Sequence, residues 1–127
     1  MRKALFILSL VLTTAAWGQS NPGLNALTEC GVFAPTAFTP NRDQTNDVFK
    51  VVISEYCAVQ DFHLFVYDRY GRLVFESIDA SKGWDGRYNG REVQDGLYLW
   101  HLLGKVVIPS GEKTLSLDRT GSVVLLR

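Results

Sequence analysis

Residues 62–76 read FHLFVYDRYGRLVFE, and this stretch predicts a β-hairpin. Apolar side chains alternate along its first half with a period of two, which is typical of a strand with one buried face. Phe62, Leu64 and Val66 are expected to face one side of this strand, and His63, Phe65 and Tyr67 the other. The tripeptide at 69–71, Arg-Tyr-Gly, predicts a tight turn, and residues 72–76 return as the second strand.

Further short strands flank this hairpin, and turn-forming residues separate them. The apolar segments lie at 32–38, 48–53, 97–103, 113–117 and 122–126, with turns at 89–90, 95–96 and 118–121. Pro35 cannot donate to a sheet ladder, so the first segment is an edge strand or an interrupted one. Six or seven short strands at this spacing predict an all-β, Ig-like antiparallel β-sandwich, with a partly open barrel as the alternative.

The N-terminal residues 1–18 have the layout of a secretory signal peptide. Arg2 and Lys3 precede an uncharged apolar run, and small residues stand at Ala16 and Gly18 before the expected cleavage point. The apolar run is shorter than the roughly 20 residues that a transmembrane helix needs. A polar leader follows at 19–29, and residues 30–127 form the predicted domain.

Length and charge limit the function classes. Cleavage after Gly18 leaves 109 of the 127 residues, enough for one domain with one core. It also removes two of the 13 basic residues, which leaves 11 against 13 acidic ones and a formal charge of −2. No basic surface for nucleic acid or an anionic membrane is expected, and no transmembrane segment remains.

Two cysteines, Cys30 and Cys57, lie in the mature part of the chain. In an oxidising compartment an even pair predicts a disulfide, and two free thiols are the alternative. Catalytic motifs are missing from the sequence: it contains no G-x-S-x-G, no H-E-x-x-H and no Gly-rich loop that opens a helix. We therefore expect a protein that is not an enzyme and that needs no cofactor.

A cluster of side-chain oxygens follows the first apolar segment, at Asn41, Asp43, Asn46 and Asp47. Such oxygens are calcium ligands in many proteins, although this spacing differs from that of an EF-hand. Alternatively, the Asn and Asp side chains cap the turn through hydrogen bonds to its own backbone. The aromatic residues Trp84, Tyr88, Tyr98 and Trp100 also allow two interpretations, a sugar-stacking platform or part of the core.

The final stretch, GSVVLLR at 121–127, places a strand and an arginine at the C-terminus. The simple interpretation is a strand that completes the sheet. A terminal strand is also a handle for another protein, since its edge can pair or its end can be gripped.

Four motifs in order resemble the gliding motility-associated C-terminal domain, the type B sorting domain of the bacterial type IX secretion system. They are FTPNRDQTND at 38–47, VYDRYGRLVFES at 66–77, GWDGRYNGREVQDGLYLW at 83–100 and GSVVLLR at 121–127. The resemblance extends over about residues 30–127. The family motif has glycine where this chain has Arg42 and Gln44.

The resemblance implies an Ig-like sandwich that serves as an export label in Bacteroidota. Its partners would be the type IX translocon and associated outer-membrane proteins, reached through Sec export to the periplasm, with the cell surface or the medium as the destination. The residues it implies for translocon recognition are Gly121, Ser122, Val123, Val124, Leu125, Leu126, Arg127, Arg69 and Gly71. We expect the label in this chain to follow the predicted signal peptide directly, without the passenger domain that the resemblance implies. The alternative function is a small secreted adhesion module that binds calcium or carbohydrate.

Overall fold

The computed structural model describes residues 31–55, 57–107 and 114–127. Nine strands lie in these ranges, and five of them have only two residues. In chain order they are β1 (Val32–Phe33), β2 (Ala37–Phe38), β3 (Val52–Ile53), β4 (Ala58–Tyr67), β5 (Leu73–Ser77), β6 (Arg87–Tyr88), β7 (Arg91–Glu92), β8 (Gly96–Val107) and β9 (Thr114–Leu125).

A five-stranded sheet dominates the fold, with the order β2-β9-β8-β4-β5. The neighbouring strands are antiparallel except at one edge, where β2 runs parallel to β9. Two small antiparallel ribbons, β1–β3 and β6–β7, accompany the sheet. The prediction of an all-β sandwich is confirmed, although the described ranges hold nine strands where six or seven were expected, and β4, β8 and β9 are longer than predicted.

The predicted hairpin at 62–76 is present as β4 and β5. Phe62, Leu64 and Val66 share one face as the alternation indicated, and the structure shows that this face is the buried one. Asp68 and Arg72 close the turn, because the amide of Asp68 donates to the carbonyl of Arg72 at 2.9 Å. The turn at 89–90 is also confirmed, since it joins β6 to β7, and both Asn89 and Gly90 have positive φ.

The prediction of a hairpin with its turn at 118–121 is wrong. β9 is one continuous strand, and residues 118–121 lie opposite residues 100–103 of β8 without a break in register. Gly121 faces the indole of Trp100, where a Cβ atom would lie 2.4 Å from Cζ2. This glycine therefore makes room for a core ring and does not end a strand.

Two other expected strands are shorter than predicted. Within residues 48–53 only β3 is a strand, while Phe49 makes an isolated antiparallel bridge with Trp84. Each of these two amides donates to the other residue's carbonyl at 2.8 Å. Pro35 interrupts the segment 32–38 as expected, and β1 and β2 on either side of it pair with different strands.

Aromatic side chains fill the core beside the sheet. Trp84 is fully buried, and its ring centroid lies 5.4 Å from that of Phe38 and 4.8 Å from that of Tyr98. Phe49 is also fully buried and lies 6.1 Å from Phe38. These contacts join the segment 49–51 and residue 84 to the buried face of the five-stranded sheet. One core therefore lies between the sheet and these segments.

The cysteine prediction falls partly outside the described residues. Cys57 is half-buried and packs against the core. Cys30 lies outside the described ranges, so its pairing with Cys57 stays a prediction.

The two core tryptophans differ in how their indole N–H groups are satisfied. Nε1 of Trp84 donates to the carbonyl of Arg87 at 2.9 Å. Nε1 of Trp100 is buried and has no hydrogen-bond partner in the described part of the chain. A buried donor without an acceptor costs free energy, whereas a satisfied one does not.

We therefore expect Trp84→Phe to lower the free energy of unfolding by at least about 1 kcal/mol more than Trp100→Phe does. Both changes remove the same atoms, so the volume lost from the core is matched. Only Trp84→Phe leaves a carbonyl without its donor, while Trp100→Phe removes an unsatisfied group. Urea denaturation of both variants measures the difference. Equal destabilisation, or a larger effect at Trp100, would contradict this assignment.

Candidate recognition surface

One end of the five-stranded sheet gathers the segments that the sequence singled out. β2, β4 and β9 finish at this end and β5 and β8 begin there, as the pairs Phe38↔Leu125, Gly96↔Leu125 and Tyr67↔Leu73 require. We call this end, with the segments 39–48, 68–72, 85–95 and 126–127, the loop end. The 39–48 loop, the 68–72 turn and the C-terminal residues thus lie at the same end of the sheet.

The loop after β2 is held by the carboxylate of Asp47. Its Oδ1 accepts the amides of Asn41 and Arg42 at 3.1 and 3.0 Å, and its Oδ2 accepts the amide of Gln44 at 2.7 Å. One carboxylate therefore satisfies three backbone donors. This is the turn-capping role that was one of the two interpretations of the loop.

Two further side chains cap the same loop. Oδ1 of Asn41 accepts the amide of Asp43, and Oδ1 of Asp43 accepts the amide of Thr45. Asn46 contributes its backbone carbonyl, which accepts the amide of Thr39 at 2.8 Å. The capping interpretation is confirmed. The calcium interpretation gains no support, because these oxygens bind backbone N–H groups and no cluster of metal-ligating side chains occurs in the described ranges.

The loop adopts a left-handed backbone at three residues that are not glycine. Arg42, Gln44 and Asn46 have φ values of 63°, 67° and 53°. Asn tolerates this region, but a long side chain there costs roughly 1 kcal/mol or more. Arg42 and Gln44 therefore adopt the positive φ that glycine favours, although neither is glycine. The hydrogen bonds from their amides to Asp47 stabilise this conformation.

We expect Arg42→Gly and Gln44→Gly each to raise the free energy of unfolding by about 0.5–1 kcal/mol, because glycine adopts positive φ without steric cost. Denaturant unfolding of the single variants and the double variant gives the values. Thr45→Gly is the control, since Thr45 does not have positive φ and this change should destabilise the protein. A loss of stability at both 42 and 44 would refute the strain argument.

Asp68 organises the hairpin turn in a similar way. Its carboxylate accepts the amides of Tyr70 and Arg72, each at 2.9 Å, and Nε of Arg72 at 3.1 Å. Gly71 has a φ of 82°, which suits glycine. These donors hold the pKa of Asp68 below its usual value: the amide of Arg72 contributes most, burial opposes the shift, and the amide of Tyr70 and the charge of Arg72 add to it.

A lowered pKa means that this carboxylate stabilises the fold above its unfolded-state pKa of about 3.9, and that the contribution is lost as the pH falls through the lower folded-state value. We expect Asp68→Asn to lose stability less steeply than the wild type below about pH 4. Urea unfolding across acidic pH measures this slope. Asp85→Asn, which removes an exposed carboxylate that accepts one amide, is the control. Identical slopes for Asp68→Asn and the wild type would exclude the effect.

Two of the predicted recognition residues, Arg69 and Gly71, are exposed on this turn. The guanidinium of Arg69 lies over the ring of Tyr70, 5.0 Å from its centroid. Tyr70 itself is 81% exposed, so this pair projects from the loop end.

The C-terminal residues predicted to bind the translocon are more buried than an exposed binding segment would be. Val123 and Leu125 belong to the core, Gly121 and Val124 are half-buried, and Ser122 and Leu126 are exposed. The edge of β9 near its end is also occupied, since Val124 and Leu126 donate to the carbonyls of Thr36 and Phe38. The interpretation that residues 122–126 offer an open edge for pairing is therefore wrong, because β2 lies there.

Arg127 forms hydrogen bonds and an ion pair with the segment that precedes β8. Its Nη1 donates to Oδ1 of Asp95 and to the carbonyl of Val93, and its Nη2 donates to the carbonyl of Gly86 at 3.0 Å. Its backbone amide donates to Oδ2 of Asp95 at 3.0 Å, and Glu92 lies 3.7 Å from Nε. The guanidinium thus faces the loop end and ties the last residue to residues 86–95.

Sequence reasoning missed the role of this segment. Asp95 was assigned only to a turn signal, but it holds Arg127 across 32 residues of sequence. The segment also forms one wall of a groove of about 760 Å³, whose other wall is the 68–72 turn. The aromatic and charged residues that line this groove are Asp68, Arg69, Tyr70, Arg72, Tyr88, Arg91, Glu92, Asp95 and Tyr98.

The interpretation of the aromatic cluster as a sugar-stacking platform is wrong for three of its four members. Trp84 is fully buried, and Tyr98 and Trp100 are 6% and 8% exposed. The hydroxyl of Tyr98 donates to the carbonyl of Gln94, and burial raises the pKa of this tyrosine. Of the four rings, Tyr88 alone is exposed, and it lies beside Arg72 in the groove.

Comparison with known proteins shows the family of this chain. The family model for the CHU_C type IX secretion signal domain matches residues 32–124. The chain belongs to this family of secretion signal domains. The family is a secretion signal and not a catalytic one, which is consistent with the expectation from the sequence.

A search of the curated proteins gives no match to this signal domain. Among solved structures it is similar to PorZ, an essential bacterial surface component of the type IX secretion system of Porphyromonas gingivalis, at 20% identity and a TM-score of 0.44. That alignment covers 87% of this chain and 13% of PorZ, and the likeness is too low to support an argument. Within the described ranges, the signal domain has no helix that is long and apolar enough to cross a membrane.

Proposed function

We propose that this signal domain is the sorting label that the type IX secretion machinery recognises, and that the loop end is the surface it reads. The observation that carries the proposal is that the loop at 39–48, the turn at 68–72 and the last residues all lie at that end of the sheet. Separate sequence motifs of one family thus contribute to one surface. A shared surface is the simplest reason for separate motifs to act together.

The loop end is also built to hold its shape, which suits recognition by another protein. Asp47 and Asp68 each satisfy backbone amides of their own turn, and Arg127 fixes the segment 86–95. A surface that is already ordered loses little conformational entropy on binding. Exposed Tyr70 and Leu126 supply apolar contact area beside exposed Arg69.

We propose that the chain reaches this machinery by the Sec pathway, with residues 1–18 as the cleaved signal. It would then fold in the periplasm, pass the outer membrane through the type IX translocon, and arrive at the cell surface or in the medium. The oxidising periplasm would also permit the predicted disulfide between Cys30 and Cys57.

An export assay tests the proposal. Residues 19–127, the predicted mature chain, are fused behind a Sec-exported fluorescent passenger in a host that has a type IX system, and surface fluorescence is measured. We expect the double variant Tyr70→Ser/Leu126→Ser to reduce export roughly tenfold, the effect of losing about 1.4 kcal/mol of binding free energy. Both side chains are exposed, so the core is left intact.

Ile78→Ser is the matched control, because Ile78 is 77% exposed and follows β5 at the end opposite the 68–72 turn. Deletion of the last six residues is not a clean test, since it removes core residues Val123 and Leu125. Export of the passenger without residues 19–127 would refute the proposal, as would a loop-end double variant that is folded and fully exported.

A further inference from the structure

One side of β9 is unpaired along most of the strand. β9 lies between β8 and β2, but β2 is short and pairs only with Val124 and Leu125. Residues 114–121 pair with β8 on one side. On their other side, no backbone hydrogen bond joins them to any residue that the structure describes. The sheet therefore ends at residues 114–121, which we call the β9 edge.

The hydrogen bonds between β9 and β2 show which backbone groups of the β9 edge point outward. The amide of Val124 donates to the carbonyl of Thr36 at 2.9 Å, on the side away from β8. In an antiparallel ladder the backbone groups of alternate residues point to the same side. The register of β9 with β8 has no shift along its length. The even-numbered residues of the edge therefore direct both their N–H and C=O groups outward: Thr114, Ser116, Asp118 and Thr120.

This row of donors and acceptors determines the kind of molecule that fits the β9 edge. The four residues that carry the row are exposed. Unpaired N–H and C=O groups along a strand are a template for a further strand. An extended backbone satisfies them all, because its own donors and acceptors repeat at the same spacing of two residues. The expected occupant is therefore an extended segment of polypeptide.

Arg119 indicates which extended segments fit. It lies opposite Leu102, which is fully buried, so its side chain is on the core side of the sheet. Arg119 is nevertheless exposed, and no carboxylate of the described residues lies within salt-bridge distance of it. A charged side chain at this position hinders pairing with an apolar strand. A strand that places a carboxylate opposite Arg119 gains an ion pair instead.

A second copy of the β9 edge does not supply that carboxylate. Side chains that lie opposite one another in a sheet share a face. The other residues of the β9 edge on the core side are Leu115, Leu117 and Gly121, and none of them is acidic. Asp118 faces the other side, where its carboxylate binds Nε2 of His101 at 2.7 Å. The charge of Arg119 therefore favours a partner of different sequence.

From these backbone directions and this unpaired charge we infer that the β9 edge accepts an extended strand of a partner protein, with a carboxylate opposite Arg119. Main-chain hydrogen bonds supply the affinity in this kind of recognition, and side-chain pairs supply the selectivity. The inference goes beyond the proposed function. The β9 edge ends before β2 begins to pair with β9, and none of the loop-end segments contributes to it.

The test uses residues 19–127, the predicted mature chain, and the fluorescein-labelled nonapeptide KTVTETVTK. Its central glutamate and its two valines lie on one face of an extended strand, so they can face Arg119 and its apolar neighbours. Fluorescence anisotropy measures binding. The same peptide with N-methylated threonines is the control, because the methyl groups remove the donors that would face the β9 edge. We expect the unmodified peptide to bind and the methylated peptide not to bind.

Two substitutions test the two parts of the inference. Thr120→Pro removes one outward N–H, which the ladder with β8 does not use, and should weaken binding at least about tenfold while the sheet stays folded. Thr120→Val keeps that N–H and is the matched control, with affinity expected within about twofold of the wild type. Arg119→Glu should reverse the preference for KTVTETVTK over KTVTKTVTK, by about fivefold in affinity.

Amide hydrogen exchange measured by NMR locates the bound strand. Without peptide, the amides of Ser116, Asp118 and Thr120 should exchange faster than those of Leu117 and Arg119, which face β8, and the peptide should slow the first three. Protection of these three amides without peptide would overturn the inference, because the edge would already be covered. Equal binding of the methylated peptide, or no binding of either peptide, would also overturn it. Self-association that Thr120→Pro abolishes would assign the edge to a second copy and refute the proposed partner.

Discussion

The pairing of β8 with β9 is the interaction on which the rest of the sheet depends. It runs without a break from Gly96↔Leu125 to Val107↔Thr114. β4 then adds to the free side of β8 and β2 to the free side of β9, so each outer strand needs this central pair. The same register places Trp100 over Gly121 and brings Leu125 beside Gly96, which joins the core to the loop end.

Local sequence patterns were sufficient for the parts of the fold that local chemistry determines. The alternation of Phe62, Leu64 and Val66 predicted that they share one face of β4, and Asn89-Gly90 predicted a turn with positive φ. Pro35 predicted the break between β1 and β2. In each case the deciding feature lies within a few residues of the structure it produces.

The features that were missed depend on residues distant in sequence. Residues 118–121 contain turn formers, but pairing with β8 keeps them extended, and no local pattern reports that partner. Asp95 and Arg127, which form an ion pair, are 32 residues apart in the sequence. The two walls of the groove also come from separate segments of the chain. The loop at 39–48 allowed two interpretations because the same oxygens suit a cation or backbone amides, and the hydrogen bonds to the amides of Asn41 and Gln44 are visible only in the structure.

The position of β9 has a consequence for the order of folding. This strand comes after the other eight in the chain, yet it lies between β2 and β8 and bonds to both. The five-stranded sheet therefore cannot close until residues 114–125 have left the ribosome. Before that point β2 and β8 lack the strand that lies between them, so completion of the sheet is tied to the synthesis of its last described strand.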